Sequence, residues 1–197
     1  MGNLRSVVNA VRAIGHTPIL ADRPEQLAGA DRIILPGVGA FGEAMSRLEQ
    51  LQFIPALEQA VLVEKRPFLG ICLGMQLLAT RGFEHGENRG LGWIPGEVKA
   101  IEAGELRVPH IGWNAIAARS SSPLLADLPE RPAFYFVHSF QFVASDKQHE
   151  IAHTDYGGDV TAIISRDHIF GTQFHPEKSH KIGLGLLRNF LQVAAPC

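Results

Sequence analysis

Only two cysteines occur in the 197 residues, Cys72 inside a glycine-flanked apolar segment and Cys197 as the last residue. Two thiols so placed make no disulfide framework, which points to a reducing, cytoplasmic setting. No apolar run approaches the roughly 18 residues a spanning helix needs. No charged stretch followed by an apolar run and a small-residue cleavage site marks a secretory leader at the front. Basic excess is also lacking: 18 Lys and Arg stand against 20 Asp and Glu, for a net charge of -2. Nothing therefore favours nucleic acid, whose phosphates a protein neutralises with surplus cations. Repeats, low-complexity stretches and blocks of like charge are absent too.

What is present is core-forming sequence, 46% hydrophobic and 19% charged. That suffices for one domain, expected to cover residues 1–197 without disulfide support. Leu4, Val7, Val8, Val11 and Ile14 follow helical spacing, stopped by Gly15. Thr17 to Ala21 reads as a strand, and so does Arg32 to Leu35, ended by Pro36-Gly37. Residues 41–65 read as helix in two pieces broken near Pro55. Phe68 to Cys72 reads as a buried strand, and Met75 to Ala79 opens another helix. The second half is strand-rich, over residues 108–116, 133–143, 150–156, 161–165 and 169–174, with short turns that imply hairpins. Residues 181–193 close the chain as an amphipathic helix. The fold expected is a single α/β domain, with a mixed and mostly parallel sheet flanked by helices. Such folds usually open on a strand. This one opens on a glycine turn and a helix, so the first strand is apparently missing.

The segment Phe68-Leu69-Gly70-Ile71-Cys72-Leu73-Gly74-Met75-Gln76 carries the sharpest signal. A strand enters Gly-x-Cys-x-Gly and a helix leaves it, the cysteine form of a nucleophile elbow. A thiol at a helix N-terminus meets unpaired N–H groups and the positive end of the dipole, which favour thiolate. The plain alternative is a structural cysteine, a residue type that is commonly buried. A cysteine nucleophile needs a base and a group to hold that base. Among nine histidines, His175 stands at the end of a strand in Phe174-His175-Pro176-Glu177. Pro176 fixes the turn, and Glu177 is placed to fold back onto the imidazole. The alternative is a solvated strand end. Acyl transfer also needs backbone donors for an oxyanion. The N–H of Leu73 and one from Val38–Gly39, in the turn Pro36-Gly37-Val38-Gly39, are suited to this. Gly37 to Gly42 superficially matches a dinucleotide fingerprint, but no ribose-binding acid follows roughly 20 residues on.

Taken together, the Pro-Gly-x-Gly turn, Gly-Ile-Cys-Leu-Gly-Met-Gln and the late Phe-His-Pro-Glu resemble the class I (triad) glutamine amidotransferases across essentially the whole chain. Gly2-Asn3-Leu4-Arg5-Ser6, Leu35 to Phe41, Leu91-Gly92-Trp93-Ile94-Pro95-Gly96, Pro109-His110-Ile111-Gly112-Trp113-Asn114, Phe136 to Phe140 and His175 to Ser179 narrow the resemblance. Within that superfamily they are most similar to the glutaminase subunits of imidazole glycerol phosphate synthases. Members usually carry a strand and an Asp-Tyr-Gly-x turn before Gly-Asn-Leu; here Met1 stands directly before that glycine, which suggests a start codon further upstream.

The resemblance implies a triad of Cys72, His175 and Glu177. It implies glutamine contacts from Gln76, Glu84 and the His138-Ser139-Phe140 backbone, with Glu84 facing the α-ammonium. It further implies a heterodimer with a (β/α)8-barrel cyclase that receives ammonia, with Trp113, Asn114 and Lys178 on the shared face. No cofactor or metal is expected, since the histidines show no zinc-type pairing with cysteine. The rival readings are another class I amidotransferase subunit, a small intracellular cysteine peptidase or a stress-type protein of similar architecture. A catalytically silent relative is a further one.

Overall fold

The computed structural model describes residues 4–194, so Met1, Gly2, Asn3 and Cys197 lie outside it. In chain order the elements are α1 (Leu4–Ala13), β1 (Ile33–Gly37), α2 (Phe41–Gln50), α3 (Phe53–Glu58), β2 (Phe68–Cys72) and α4 (Leu73–Gln76). Then follow β3 (Arg81–Gly82), β4 (Asn88–Arg89), β5 (Gly96–Ala100), β6 (His110–Ala115), β7 (Ala117–Ala118) and β8 (Ala133–His138). The last are β9 (Phe140–Ala144), β10 (Glu150–Asp155), β11 (Asp159–Arg166), β12 (Ile169–Thr172) and α5 (His180–Gln192).

The main sheet has six strands in the order β1-β2-β12-β11-β10-β7. β1, β2 and β12 run parallel, while β11, β10 and β7 continue the sheet antiparallel. The sheet is thus mixed, as expected, with a larger antiparallel share than the sequence suggested, because the second half is built of hairpins. All five residues of β2 are buried, the continuous apolar signature of a parallel strand covered on both faces. Leu69 and Ile71 point to one core with α1 and α5, Phe68 to the other beneath α2 and α3. In the first core Phe134 and Phe174 stack with centroids 3.9 Å apart, a contact that contributes about 1 kcal/mol beyond its buried area.

Several local expectations are corrected. The break in the helical run lies at Gln52, which has a φ of 56°, and Pro55 sits in the first turn of α3. A proline there lacks only an N–H that the helix would leave unpaired anyway. The helix after Cys72 spans Leu73–Gln76 rather than opening at Met75. The strand expected over 133–143 is two, β8 and β9, in different sheets. The chain changes sheet at Ser139. Thr17–Ala21 is not a strand: Ile19 and Leu20 stand 71% and 54% exposed. A strand persists only where its backbone finds a ladder neighbour, and among the described residues this segment has none. β1 is the edge of the sheet, and no strand precedes α1 among the described residues. A groove of about 1580 Å3, lined by Val7, Val8, Ile19, Leu20, Ile33 and Leu35 among others, borders that edge.

Candidate active site

Three parallel strands end side by side. In register, Gly37 of β1 lies opposite Cys72 of β2, and Thr172 of β12 lies opposite Ile71. The carboxyl ends of parallel strands are where open α/β sheets place their chemistry. Here those ends deliver the Gly37-Val38-Gly39 turn, the thiol, and the run Gln173-Phe174-His175.

Cys72 has φ 55° and ψ −109°, a positive φ that costs a side-chain-bearing residue about 1–3 kcal/mol. The surroundings impose it. A Cβ on Gly70 would lie 2.4 Å from the Gly74 carbonyl oxygen, and one on Gly74 would lie 1.8 Å from that of Leu35. Only glycine at both positions lets strand and helix cross this closely. The turn so formed sets Cys72 at the head of α4, where the N–H of Leu73 has no partner within the helix. On the neighbouring turn Gly39 has a φ of +107°, a conformation in which glycine alone is at ease.

His175 donates its backbone N–H to the Tyr135 carbonyl at 2.9 Å. Ser179 locks the turn that follows: its hydroxyl donates to the His175 carbonyl at 2.7 Å and accepts the Tyr135 N–H at 3.0 Å. Glu177, on the single 3-10 turn Pro176–Lys178, returns its Oε1 to within 2.7 Å of His175 Nδ1. Both side chains are buried, 1% and 0% exposed. Burial alone would strip the proton from His175. The hydrogen bonds and charges of the Cys72 sulfur and the Glu177 carboxylate outweigh it and lift the imidazole to about 9.

Cys72 is 7% exposed, and its Sγ lies 3.9 Å from the Val137 carbonyl. The Gln173 amide points its Nε2 at the sulfur from 3.7 Å. Gln76 Nε2 donates to Gln173 Oε1 and to the Phe140 carbonyl, each at 3.0 Å. A thiol on a strained elbow, beside an imidazolium held by a buried carboxylate and next to a glycine turn, is equipped for acyl transfer.

A family pattern described as class-I glutamine amidotransferase matches residues 2–193. The chain belongs to the class-I glutamine amidotransferases. It is 48% identical to imidazole glycerol phosphate synthase subunit HisH 1 of Campylobacter jejuni (strain RM1221), over 98% of this chain and 96% of that one. It is 45% identical to subunit HisH of Aquifex aeolicus (strain VF5), over 98% and 93%. A crystal structure described as glutamine amidotransferase shares the fold with a TM-score of 0.76 at 18% identity, covering 97% of this chain and 93% of that one. The structure of PurLQS from Thermotoga maritima does so at 0.73 and 18%, covering 96% and 92%.

For this class-I amidotransferase, the remaining residues read from the sequence fall in three places. Glu84 caps α2, its Oε2 accepting the Phe41 N–H at 2.7 Å, and it lines the same groove as Gly37 and Val38. The His138-Ser139-Phe140 segment follows Val137, whose carbonyl lies by Cys72, and two of its carbonyls are already engaged: Ser139 accepts from Ile101 N at 2.9 Å, and Phe140 accepts from Gln76 and His138. The third place is the β6–β8 ladder, where Asn114 turns its amide to His110 Nε2 and the Asp155 carbonyl while Trp113 and Lys178 gather on the opposite face. There Trp113, half exposed, stacks on His180 with centroids 5.0 Å apart, and Lys178 Nζ sits 5.7 Å from the Tyr135 ring centre.

Two site residues escaped the sequence reading. Gln173 is fully buried against the sulfur; its one signal was a polar residue in an apolar strand two positions before His175. His110 is buried and bonded to His138; its segment, Pro109 to Asn114, carries the resemblance without pointing to a role for the imidazole. Among the described residues no helix is long and apolar enough to cross a membrane.

Proposed function

We propose that this single amidotransferase domain is the glutaminase subunit of an imidazole glycerol phosphate synthase. It hydrolyses L-glutamine and passes the ammonia to a (β/α)8-barrel cyclase for histidine biosynthesis in the cytoplasm. The observation that carries the reading is the intact buried triad in a chain 44–48% identical to HisH subunits over nearly its whole length.

The thiolate of Cys72 attacks the side-chain amide carbon of glutamine. The tetrahedral oxyanion is held by the N–H of Leu73 and by one from Val38–Gly39. His175 gives its proton to the departing nitrogen, so ammonia leaves and a γ-glutamyl thioester remains. Neutral His175 then takes a proton from water as the hydroxide adds to the thioester carbon. Glutamate departs, and the thiolate–imidazolium pair is restored. Glu177 holds the imidazole orientation and balances its charge throughout. Glu84 serves the substrate's α-ammonium, the one group in the substrate that calls for an acidic side chain. The carboxyl oxygen not taken by the Phe41 N–H is the one available for it.

Ammonia is useful only when it reaches an acceptor undiluted, so a partner must sit against this site. The exposed Ile111 and Trp113 on the outer face of β6, with Lys178 alongside and Asn114 at the next position of the strand, offer an apolar face with a basic edge suited to that contact. Glutamate release from glutamine is the test, measured for the chain alone and with the cyclase and its nucleotide ligand. Slow hydrolysis that rises strongly with both is expected. Hydrolysis indifferent to the cyclase would assign the ammonia to another acceptor, and none under any condition would leave a catalytically silent relative.

A further inference from the structure

Behind Cys72 lies a chain of side chains that the triad does not use. His138 Nδ1 is 2.9 Å from the Phe140 carbonyl, and its Nε2 is 3.1 Å from His110 Nδ1. His110 Nε2 in turn faces Asn114 Nδ2 at 3.4 Å, and that amide also donates to the Asp155 carbonyl at 2.9 Å. His110 and His138 are 2% and 6% exposed, and His110 is sandwiched between the rings of Phe136 and Tyr156, 4.7 and 3.8 Å away. Two buried polar rings conserve their energy only when every nitrogen is matched.

The chemistry allows a single assignment. A carbonyl only accepts, so His138 carries its hydrogen on Nδ1 and its Nε2 must accept. His110 therefore carries its hydrogen on Nδ1, and its Nε2 accepts from Asn114. Protonating either ring would set donor against donor, and burial holds both imidazoles down at about 4. The Phe140 carbonyl receives a second hydrogen, from Gln76 Nε2, whose other hydrogen goes to Gln173 Oε1. With its oxygen so occupied, Gln173 must turn its N–H to the sulfur. All the amide orientations follow from the position of one carbonyl.

We propose that His110 and His138 are positioning residues of the glutaminase reaction: a neutral imidazole pair that pins the Phe140 carbonyl, so that Gln76 is held with its N–H on the Gln173 oxygen and Gln173 presents an N–H rather than an oxygen to the Cys72 sulfur. The inference rests on the glutaminase reading for its kinetic consequence and on geometry alone for its effect on the thiol. A donor aimed at sulfur favours the anionic nucleophile, and an amide oxygen there would repel it.

The test uses full-length protein with two readouts. One is the rate of iodoacetamide alkylation at Cys72 in the free chain at pH 7, followed on the Cys72 peptide by mass spectrometry. The other is kcat and KM for glutamine in the presence of the cyclase. His110→Phe keeps the stack between Phe136 and Tyr156 but deletes the relay. It is expected to slow alkylation and kcat by about tenfold while KM moves less, the pattern of a lost interaction with the nucleophile. His110→Asn places an amide N–H where Nδ1 stood and is expected to recover to within about threefold of the wild type. A second pair covers the case in which His110→Phe does not fold. His138→Asn keeps the donor to Phe140 but loses the link to His110 and is expected to be impaired less than His138→Gln, which moves the amide to the Nε2 end and behaves as the relay-deleted form; equal impairment of the two overturns the inference. Alkylation in His110→Phe equal to the wild type overturns the inference. So does a His110→Asn variant as impaired as His110→Phe, which would reduce His110 to packing. Wild-type protein that alkylates but never hydrolyses glutamine would overturn the glutaminase reading instead, with the alkylation arm still judging the relay.

Discussion

Gly74 and the Leu35 carbonyl oxygen are in such close approach that a Cβ on Gly74 would lie 1.8 Å from that oxygen. Helix α4 thus rests directly on the backbone of β1, and Cys72 and the Gly37-Val38-Gly39 turn are locked to one another. Gly74→Ala is expected to cost more than about 2 kcal/mol of stability, since an extra methyl group against rigid backbone can be relieved only by moving the strand. Urea unfolding and glutamine hydrolysis measured on the same preparation check this. A stable, fully active Gly74→Ala protein would mean that the strand and helix are not so tightly joined.

Cys72→Ala is expected to abolish glutamate release while the chain still folds and still associates with the cyclase. The substitution removes the only atom that forms the thioester and takes little volume from the core. A glutaminase assay beside size-exclusion chromatography of the mixture reads both properties. Hydrolysis near the wild-type rate would remove Cys72 as the nucleophile.

The buried histidines give stability opposite dependences on pH. His175 is raised above its ordinary 6.5 to about 9. Its contribution is therefore complete below about 6.5 and is lost as pH rises through about 9. His110 and His138 are lowered to about 4, so their contribution is complete above about 6.5 and is lost as pH falls toward 4. Unfolding free energies of the wild type, His175→Asn and His110→Phe at pH 4.5, 7 and 9.5 isolate each term by difference. The gap between wild type and His175→Asn is expected to shrink on the alkaline side, and the gap to His110→Phe on the acid side. Gaps that do not vary with pH would show that these rings titrate as free histidines do.

Lys178 is exposed, and its ammonium rests near the Tyr135 ring one residue beyond Glu177. Lys178→Ala is expected to change stability by less than about 0.5 kcal/mol, as surface substitutions do, while weakening the stimulation of glutamine hydrolysis by the cyclase. Melting temperature and the ratio of rates with and without the cyclase are the measurements. An unchanged ratio would take Lys178 off the shared face.

The elbow was legible because its cause is local. Gly70 and Gly74 bracket Cys72 within five residues, and a strand meeting a helix there admits no side chain at either position. His175 and Glu177 were legible for the same reason, since two residues and a proline bring a carboxylate back to an imidazole. The opposite holds for His110 and His138. They are 28 residues apart and meet only because β6 pairs with β8, with His110 opposite His138 in the register. Gln173 likewise acquires its place from Gln76, 97 residues away. The Thr17–Ala21 segment failed as a strand for a related reason: its apolar residues were read correctly, but a strand is defined by a neighbour that local sequence does not contain.

The sequence by itself determined the α/β class, the strand–helix elbow at Cys72, the pairing of His175 with Glu177, and the family to which the chain belongs. These depend on backbone sterics and on contacts between residues a few positions apart. Tertiary structure decided which carbonyls are already occupied, which way the buried amides face, and how charged His110, His138 and His175 are. Hydrogen-bond direction and desolvation depend on atoms that the chain brings together only after it has folded.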